Sequence, residues 1–178
     1  MRKKGFTLIE LLVVSAILLI LLEAGYSFFI NNYKMLQEEK KKAYIESQVK
    51  SFMDYTMQSL QMAYQEEIEI ENSHGDNETK RLIIWIPNDN SKIDFSETDS
   101  TKISIYAKKN DEKYKICIEK GSYKQEILDG NISSFDITTK PETIDQNTIL
   151  QYVQIDFKVD YKIRGIVRDY SIKYNIRR

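Results

Sequence analysis

The sequence predicts an α+β protein in which one long N-terminal helix packs on an antiparallel β-sheet. Two observations carry that expectation. The first 64 residues hold an apolar run followed by apolar residues at three- and four-residue spacing, the period of a helix with one buried stripe. From residue 103 onward apolar and polar residues alternate in several segments, the period of strands with one buried face.

Residues 6–30 form the apolar run. As a helix, residues 6–22 rise about 26 Å, close to the thickness of a hydrocarbon core of about 30 Å. Arg2, Lys3 and Lys4 precede the run and Glu10 interrupts it early. A carboxylate inside a membrane segment is costly and calls for a partner. Near the start of a helix it also lies at the positive end of the dipole. Its nearest partner is an α-amine, its own or a neighbour's; the plainer reading is a shallow carboxylate at the membrane edge. Glu23 ends the clean span. It reads as a residue of the outer interface, with a contact to a neighbouring helix as the sharper alternative. Tyr26, Ser27, Phe28 and Phe29 suit such an interface, and Gly25 weakens the helix by about 1 kcal/mol against Ala. A secretory signal peptide has its cleavage site after the apolar region. The candidate processing point here, Gly5-Phe6, lies before it, so cutting there leaves the run on the mature chain.

Residues 31–64 contain neither Gly nor Pro. Tyr33, Leu36, Tyr44, Ile45, Val49, Phe52, Met53, Leu60, Ala63 and Tyr64 are expected to form one stripe. Glu38 and Lys42, and Glu46 and Lys50, stand four residues apart on the polar face, a favourable helical spacing. The stripe is too irregular for strict heptads. Anchor and stripe together read as one helix.

The strands follow. Residues 82–86 are stopped by Pro87. Ile103, Ile105 and Ala107 alternate with polar residues, as do Tyr114, Ile116 and Ile118, then Val153, Ile155, Phe157, Val159 and Tyr161, then Ile166, Tyr170, Ile172, Tyr174 and Ile176. Asp129-Gly130 reads as a tight turn, and Arg164-Gly165 separates the last two strands. Residues 72–79, 87–101 and 139–148 read as polar connections.

Lys4-Gly5-Phe6-Thr7-Leu8-Ile9-Glu10, between a basic leader and an apolar helix, resembles the class III leader of type IV prepilins and pseudopilins. The resemblance implies a pilin-like fold, cleavage by a prepilin peptidase between Gly5 and Phe6, methylation of the Phe6 amine, and a meeting of Glu10 with the Phe6 amine of a neighbouring subunit during assembly. Prepilin peptidases work on the cytoplasmic side, whereas Lys and Arg flank both ends of the span and leave orientation open. The resemblance therefore implies a short cytoplasmic N-terminus, one membrane pass and an extracytoplasmic domain. The order of segments in residues 126–135 and the final pair of long strands is similar to the J class of minor pseudopilins and to matching minor subunits of pili and competence systems.

Other chemistry is sparse. A net charge of -1 gives no global attraction to nucleic acid or acidic lipid. The single cysteine, Cys117, forbids an internal disulfide and reads as a small strand residue. The only histidine, His74, lies in a polar turn without companions for a metal. Asp89, Asp94 and Asp99 lack the ordered spacing of a calcium loop, so no metal and no cofactor is expected. Near the C-terminus Lys158, Lys162, Arg164, Arg168, Lys173, Arg177 and Arg178 stand against Asp160 and Asp169, and Tyr161, Tyr170 and Tyr174 interleave. Such a mixture on a sheet can hold single-stranded nucleic acid, but period two puts the tyrosines on the apolar face.

The organisation expected is a leader over residues 1–5, a membrane and assembly helix over 6–30, the outer half of that helix over 31–66 and a β-sheet domain over 67–178. The function expected is that of a non-enzymatic minor pilin or pseudopilin in the initiation or tip complex of a type IV pilus-like filament, serving pili, competence or secretion. Its partners would be other minor and major subunits, the peptidase and the membrane. The alternative is a singly anchored surface protein that captures DNA or another extracellular ligand.

Overall fold

The computed structural model describes residues 7–72, 77–88, 95–144 and 147–176. One α-helix, α1, spans Leu8–Met62. A 3-10 turn, Gln65–Glu67, leads to seven strands: β1 (Glu69–Glu71), β2 (Arg81–Pro87), β3 (Ser100–Asn110), β4 (Lys113–Lys120), β5 (Tyr123–Ile144), β6 (Asn147–Asp160) and β7 (Val167–Asn175). They lie in sequence order in one sheet, every neighbouring pair antiparallel. A long N-terminal helix followed by an antiparallel meander is the pilin-like α+β architecture that the sequence predicts. The chain divides into two compact units, Met1–Lys42 and Ala43–Arg178.

In the second unit the last turns of α1 close one face of the sheet. Ile45, Val49, Phe52, Thr56, Ser59 and Leu60 are its buried residues, a stripe at three- and four-residue steps. They meet Leu82 and Ile84 of β2, Ile103 and Ile105 of β3, Ile116 of β4, Ile137 of β5 and Ile155 and Phe157 of β6 in one core. Phe52 packs edge-on against Phe157 with ring centroids 5.4 Å apart. The stripe differs from the one expected. Tyr44 is exposed, and its hydroxyl accepts a hydrogen bond from Gln48. Thr56 and Ser59 take inward positions instead, because position on the helix outweighs residue polarity once a sheet sits opposite. In the first unit Tyr33 and Leu36 are exposed.

Two expected connections are strand. Asp129-Gly130 makes no hairpin: β5 runs through it, and β4 pairs Tyr114 with Ile132 and Ile116 with Ile127. Residues 128–131 bulge out opposite Lys115, with Leu128 at φ +55° and Gly130 at φ +65°. The bulge turns the Leu128 side chain into the core, as such insertions re-aim side chains without ending the ladder. Residues 139–144 and 147–148 continue β5 and β6, from Thr139 opposite Val153 to Ile144 opposite Asn147. Strand pairing there uses backbone groups, which polar composition does not forbid, and β-branched Thr suits a strand. The Arg164-Gly165 turn does separate β6 from β7, with Arg164 and Gly165 both at positive φ. Pro87 ends β2, paired with Ser100.

The opposite face of the sheet carries a second, smaller buried group that the sequence does not announce. Ile83, Tyr106 and Cys117 have at most 1% of their surface exposed. The Arg81 guanidinium lies 4.2 Å from the Tyr106 ring centroid and reaches Glu119 and Glu78, each at 3.2 Å. The Tyr106 hydroxyl donates to Glu119 Oε1 at 2.7 Å and accepts from Lys124 Nζ at 3.0 Å. Burial pushes the Glu119 carboxyl up, but Tyr106, Lys124 and Arg81 outweigh it and hold it below the usual carboxylate range.

Burial also pushes the Tyr106 phenol up to about 12. An unfolded tyrosine loses its proton near pH 10. Between about pH 10 and pH 12 the folded state therefore binds more protons than the unfolded one, so stability present below pH 10 is lost as pH rises through that window. In Tyr106→Phe the fall in urea midpoint from pH 9 to pH 11.5, followed by Trp85 fluorescence, should be shallower than in the wild type. At pH 7 the variant should be less stable by about 0.5–1.5 kcal/mol, the worth of a hydrogen bond. Parallel alkaline limbs in the two proteins would show that the Tyr106 proton is not linked to folding.

Candidate functional site

The helix start is built by local chemistry. Thr7 precedes α1, and its side chain accepts from Glu10 N at 3.4 Å. Glu10 reaches back: its Oε2 accepts from Thr7 N and from Thr7 Oγ1, both at 2.9 Å. Thr-x-x-Glu with reciprocal bonds is a capping box, which satisfies amide groups that a helix start leaves without partners. The motif is visible in the sequence as Thr7-Leu8-Ile9-Glu10, where a carboxylate in an apolar run suits a cap as well as an ionic partner. The structure adds that the Glu10 carboxylate has a protein partner within its own chain. Gly5 and Phe6 lie outside the described residues.

Beyond the first turn the unit is apolar and open. Leu8, Ile9, Leu11, Leu12, Leu19, Ile20, Leu21 and Leu22 each have more than 60% of their surface exposed, and α1 is long and apolar enough to cross a membrane. Apolar exposure on this scale marks a surface that meets lipid or another protein. Glu23 follows Glu10 by thirteen residues, about 20 Å along the helix at about 1.5 Å per residue. Gly25 has open space around its missing side chain, so no packing contact demands glycine there.

Residues 1–22 match the family model of the prokaryotic N-terminal methylation motif. This is a class III prepilin leader. The motif is the one borne by type IV pilins and pseudopilins, and it covers the leader, the capping box and most of the apolar run. No curated protein and no solved structure matches the chain. The motif supports a type IV pilin-like substrate of prepilin peptidase, and among the described residues one helix is long and apolar enough to serve as its anchor.

Among the described residues the remaining candidates do not gather into a second site. His74, Asp89 and Asp94 lie outside the described residues. Asp99 closes the short 3-10 turn Glu97–Asp99, and its carbonyl accepts from Asn88 N. Among the described residues no group of three or more His, Cys, Asp and Glu is arranged to hold a metal. Burial pushes the Cys117 thiol up, away from the reactive thiolate. Near the C-terminus Tyr161 and Tyr174 are buried and Tyr170 stacks on Phe157. Arg168 pairs with Glu46 at 3.0 Å and Lys158 with Asp169 at 3.5 Å. The tyrosines therefore lie on the core face, as their alternation requires, and offer no platform for stacked bases.

Proposed function

We propose that the chain is a minor pilin or pseudopilin subunit of a type IV pilus-like filament. A prepilin peptidase cuts it after Gly5, the Phe6 amine is methylated, and residues 6–30 hold it in the membrane with its β-sheet domain outside. Residues 1–5 act as leader, 31–66 as the outer part of the helix and 67–178 as the folded head. Its place is the initiation or tip complex, among other minor and major subunits, and its role is structural.

The observation that carries this reading is the methylation motif at residues 1–22. Two features support it. The apolar residues of the first unit are exposed along α1, so they need lipid before assembly and other helices after it. The later turns of the same helix are covered by the chain's own sheet, so the head needs no partner to bury its stripe. Mass spectrometry of protein from membranes and from sheared filaments tests the reading. Both fractions should contain a chain beginning at N-methylated Phe6. A chain that begins at Met1, or near Gly25, or that never enters the sheared fraction, would sink it.

A further inference from the structure

Beside the packed stripe of α1, on the sheet face that the helix covers, a groove of about 300 Å³ lies between α1 and the paired strands β4 and β5. Ligand sites run from about 300 to 1,000 Å³. Phe52, Ile118 and Ile127 form its floor, and Ser47, Gln48, Ser51, Tyr55 and Gln125 stand above them. None of these side chains is charged at neutral pH, in a chain whose residues are 30% charged, so composition alone does not account for the groove. Charge is sorted away from it on both walls. On α1, Glu46, Lys50 and Asp54 are the charged residues between 43 and 62, and they recur every four residues along a separate strip. On β5, Lys124 and Glu126 turn to the opposite face, where they reach Tyr106 at 3.0 Å and Lys115 at 2.6 Å. Gln125 sits opposite Ile118, where the alternation of a covered face calls for an apolar residue. Among the described residues no hydrogen bond holds its amide or the Ser47 and Ser51 hydroxyls.

We infer that this groove binds a neutral oligosaccharide. A sugar ring has a C–H face that leaves water readily and a rim of hydroxyls that donate and accept. The groove holds a counterpart for each: an apolar floor, hydroxyls that donate and accept, and two amides that do both from one side chain. Two exposed tyrosines stand beside it. The Tyr44 hydroxyl accepts from Gln48 Nε2 at 2.9 Å, and Tyr123 precedes Gln125 by two residues on the same face of β5. Such rings pair an apolar body with a polar tip, which suits a sugar face. An anion or a cation meets no counter-charge among the lining residues, which sets nucleic acid and charged peptides aside. Three apolar side chains are too few for the i, i+3, i+4 and i+7 anchors of an amphipathic helix. The inference goes beyond the filament reading and does not depend on it, since a groove in the second unit can take a sugar whether or not the leader is cut.

The test uses the full chain in a zwitterionic detergent without a sugar headgroup. Isothermal titration calorimetry compares neutral hexamers of glucose and of N-acetylglucosamine with the anionic hexamer of galacturonate and with a neutral peptide of Gly, Ser and Gln. At least one neutral sugar should bind with a Kd of about 1 mM or tighter, and the anionic hexamer at least about tenfold more weakly. Gln125→Leu and Ser51→Leu should each weaken the sugar at least about fivefold, as the loss of one hydrogen bond does. Neither should lower the melting temperature, because each adds apolar surface beside an apolar floor. Lost binding on an intact fold is what a merely structural polar residue would not give. If a leucine variant melts lower, Ser47→Ala with Ser51→Ala, which suits a helix, gives the same readout. No neutral sugar bound at about 10 mM, equal binding of the anionic hexamer, binding of the peptide in place of the sugars, or binding unchanged in a well-folded variant would each overturn the inference.

Discussion

Gly5→Val should leave the protein at full length in the membrane, still beginning at Met1, with none of it in the sheared filament fraction. The effect is expected to be all or none. Cleavage needs close approach to the backbone on both sides of the Gly5-Phe6 bond. A residue without a side chain leaves that backbone bare, and a β-branched one covers it. The uncut chain keeps Arg2, Lys3 and Lys4 at the start of the helix. Drawing such charges into an apolar environment costs about 2.5–3.5 kcal/mol each on insertion scales, so an uncut leader would hold the helix start at the membrane surface. Removing it frees the helix to rise. The β-sheet domain should fold as in the wild type, because none of its core residues comes from the leader. Circular dichroism should show unchanged helix and strand content. A normally trimmed Gly5→Val chain would mean that Gly5-Phe6 is not the processing point.

How much of this was legible beforehand differs from element to element. The helix and four of the strands follow from period alone, since burying one face of a helix or a sheet forces that period on the sequence, and β2 follows from its apolar run stopped by Pro87. The long anchor was legible from its apolar length, close to the thickness of a hydrocarbon core. The Leu128 bulge was not, because Asp129-Gly130 suits a hairpin turn and a positive-φ bulge equally well, and only the pairing of β4 with both Ile127 and Ile132 decides between them. The Thr139 to Thr148 stretch misled because composition reports exposure, whereas strand pairing needs only backbone. The Tyr106 cluster was invisible, since Arg81, Glu119 and Lys124 are ordinary surface residues until strand register sets them around one phenol. At the helix start the order is reversed. The motif in residues 4–10 was fully legible, but the reciprocal bonds of Thr7 and Glu10 give that carboxylate a capping role beside the assembly role proposed for it.

Those two roles can be separated. Glu10→Ala should still be cut, inserted and folded, yet co-purify poorly with other subunits. Inside a filament of packed apolar helices the Glu10 carboxylate and a neighbour's Phe6 amine would be the principal opposite charges at their depth. Leaving one of a buried pair uncompensated costs roughly 3–5 kcal/mol, a loss of more than a hundredfold in the affinity of the subunit for its neighbours at about 1.4 kcal/mol per factor of ten. Alanine also breaks the capping box with Thr7, which would cost the helix start about 0.5–2 kcal/mol, so the alanine variant alone does not tell charge from cap. Glu10→Gln does. Glutamine serves in a capping box as glutamate does, accepting from Thr7 N, but it carries no charge for an amine. If charge pairing drives assembly, Glu10→Gln should fail as Glu10→Ala fails, while Thr7→Val, which removes the hydroxyl and keeps the carboxylate, should assemble far better than either. Glu23→Ala, about 20 Å farther along the helix, should have little effect. The measurement is recovery of partner subunits in a pull-down from membranes, wild type against each variant. Full recovery with Glu10→Gln and loss with both Glu10→Ala and Thr7→Val would make Glu10 a helix cap whose charge assembly does not use.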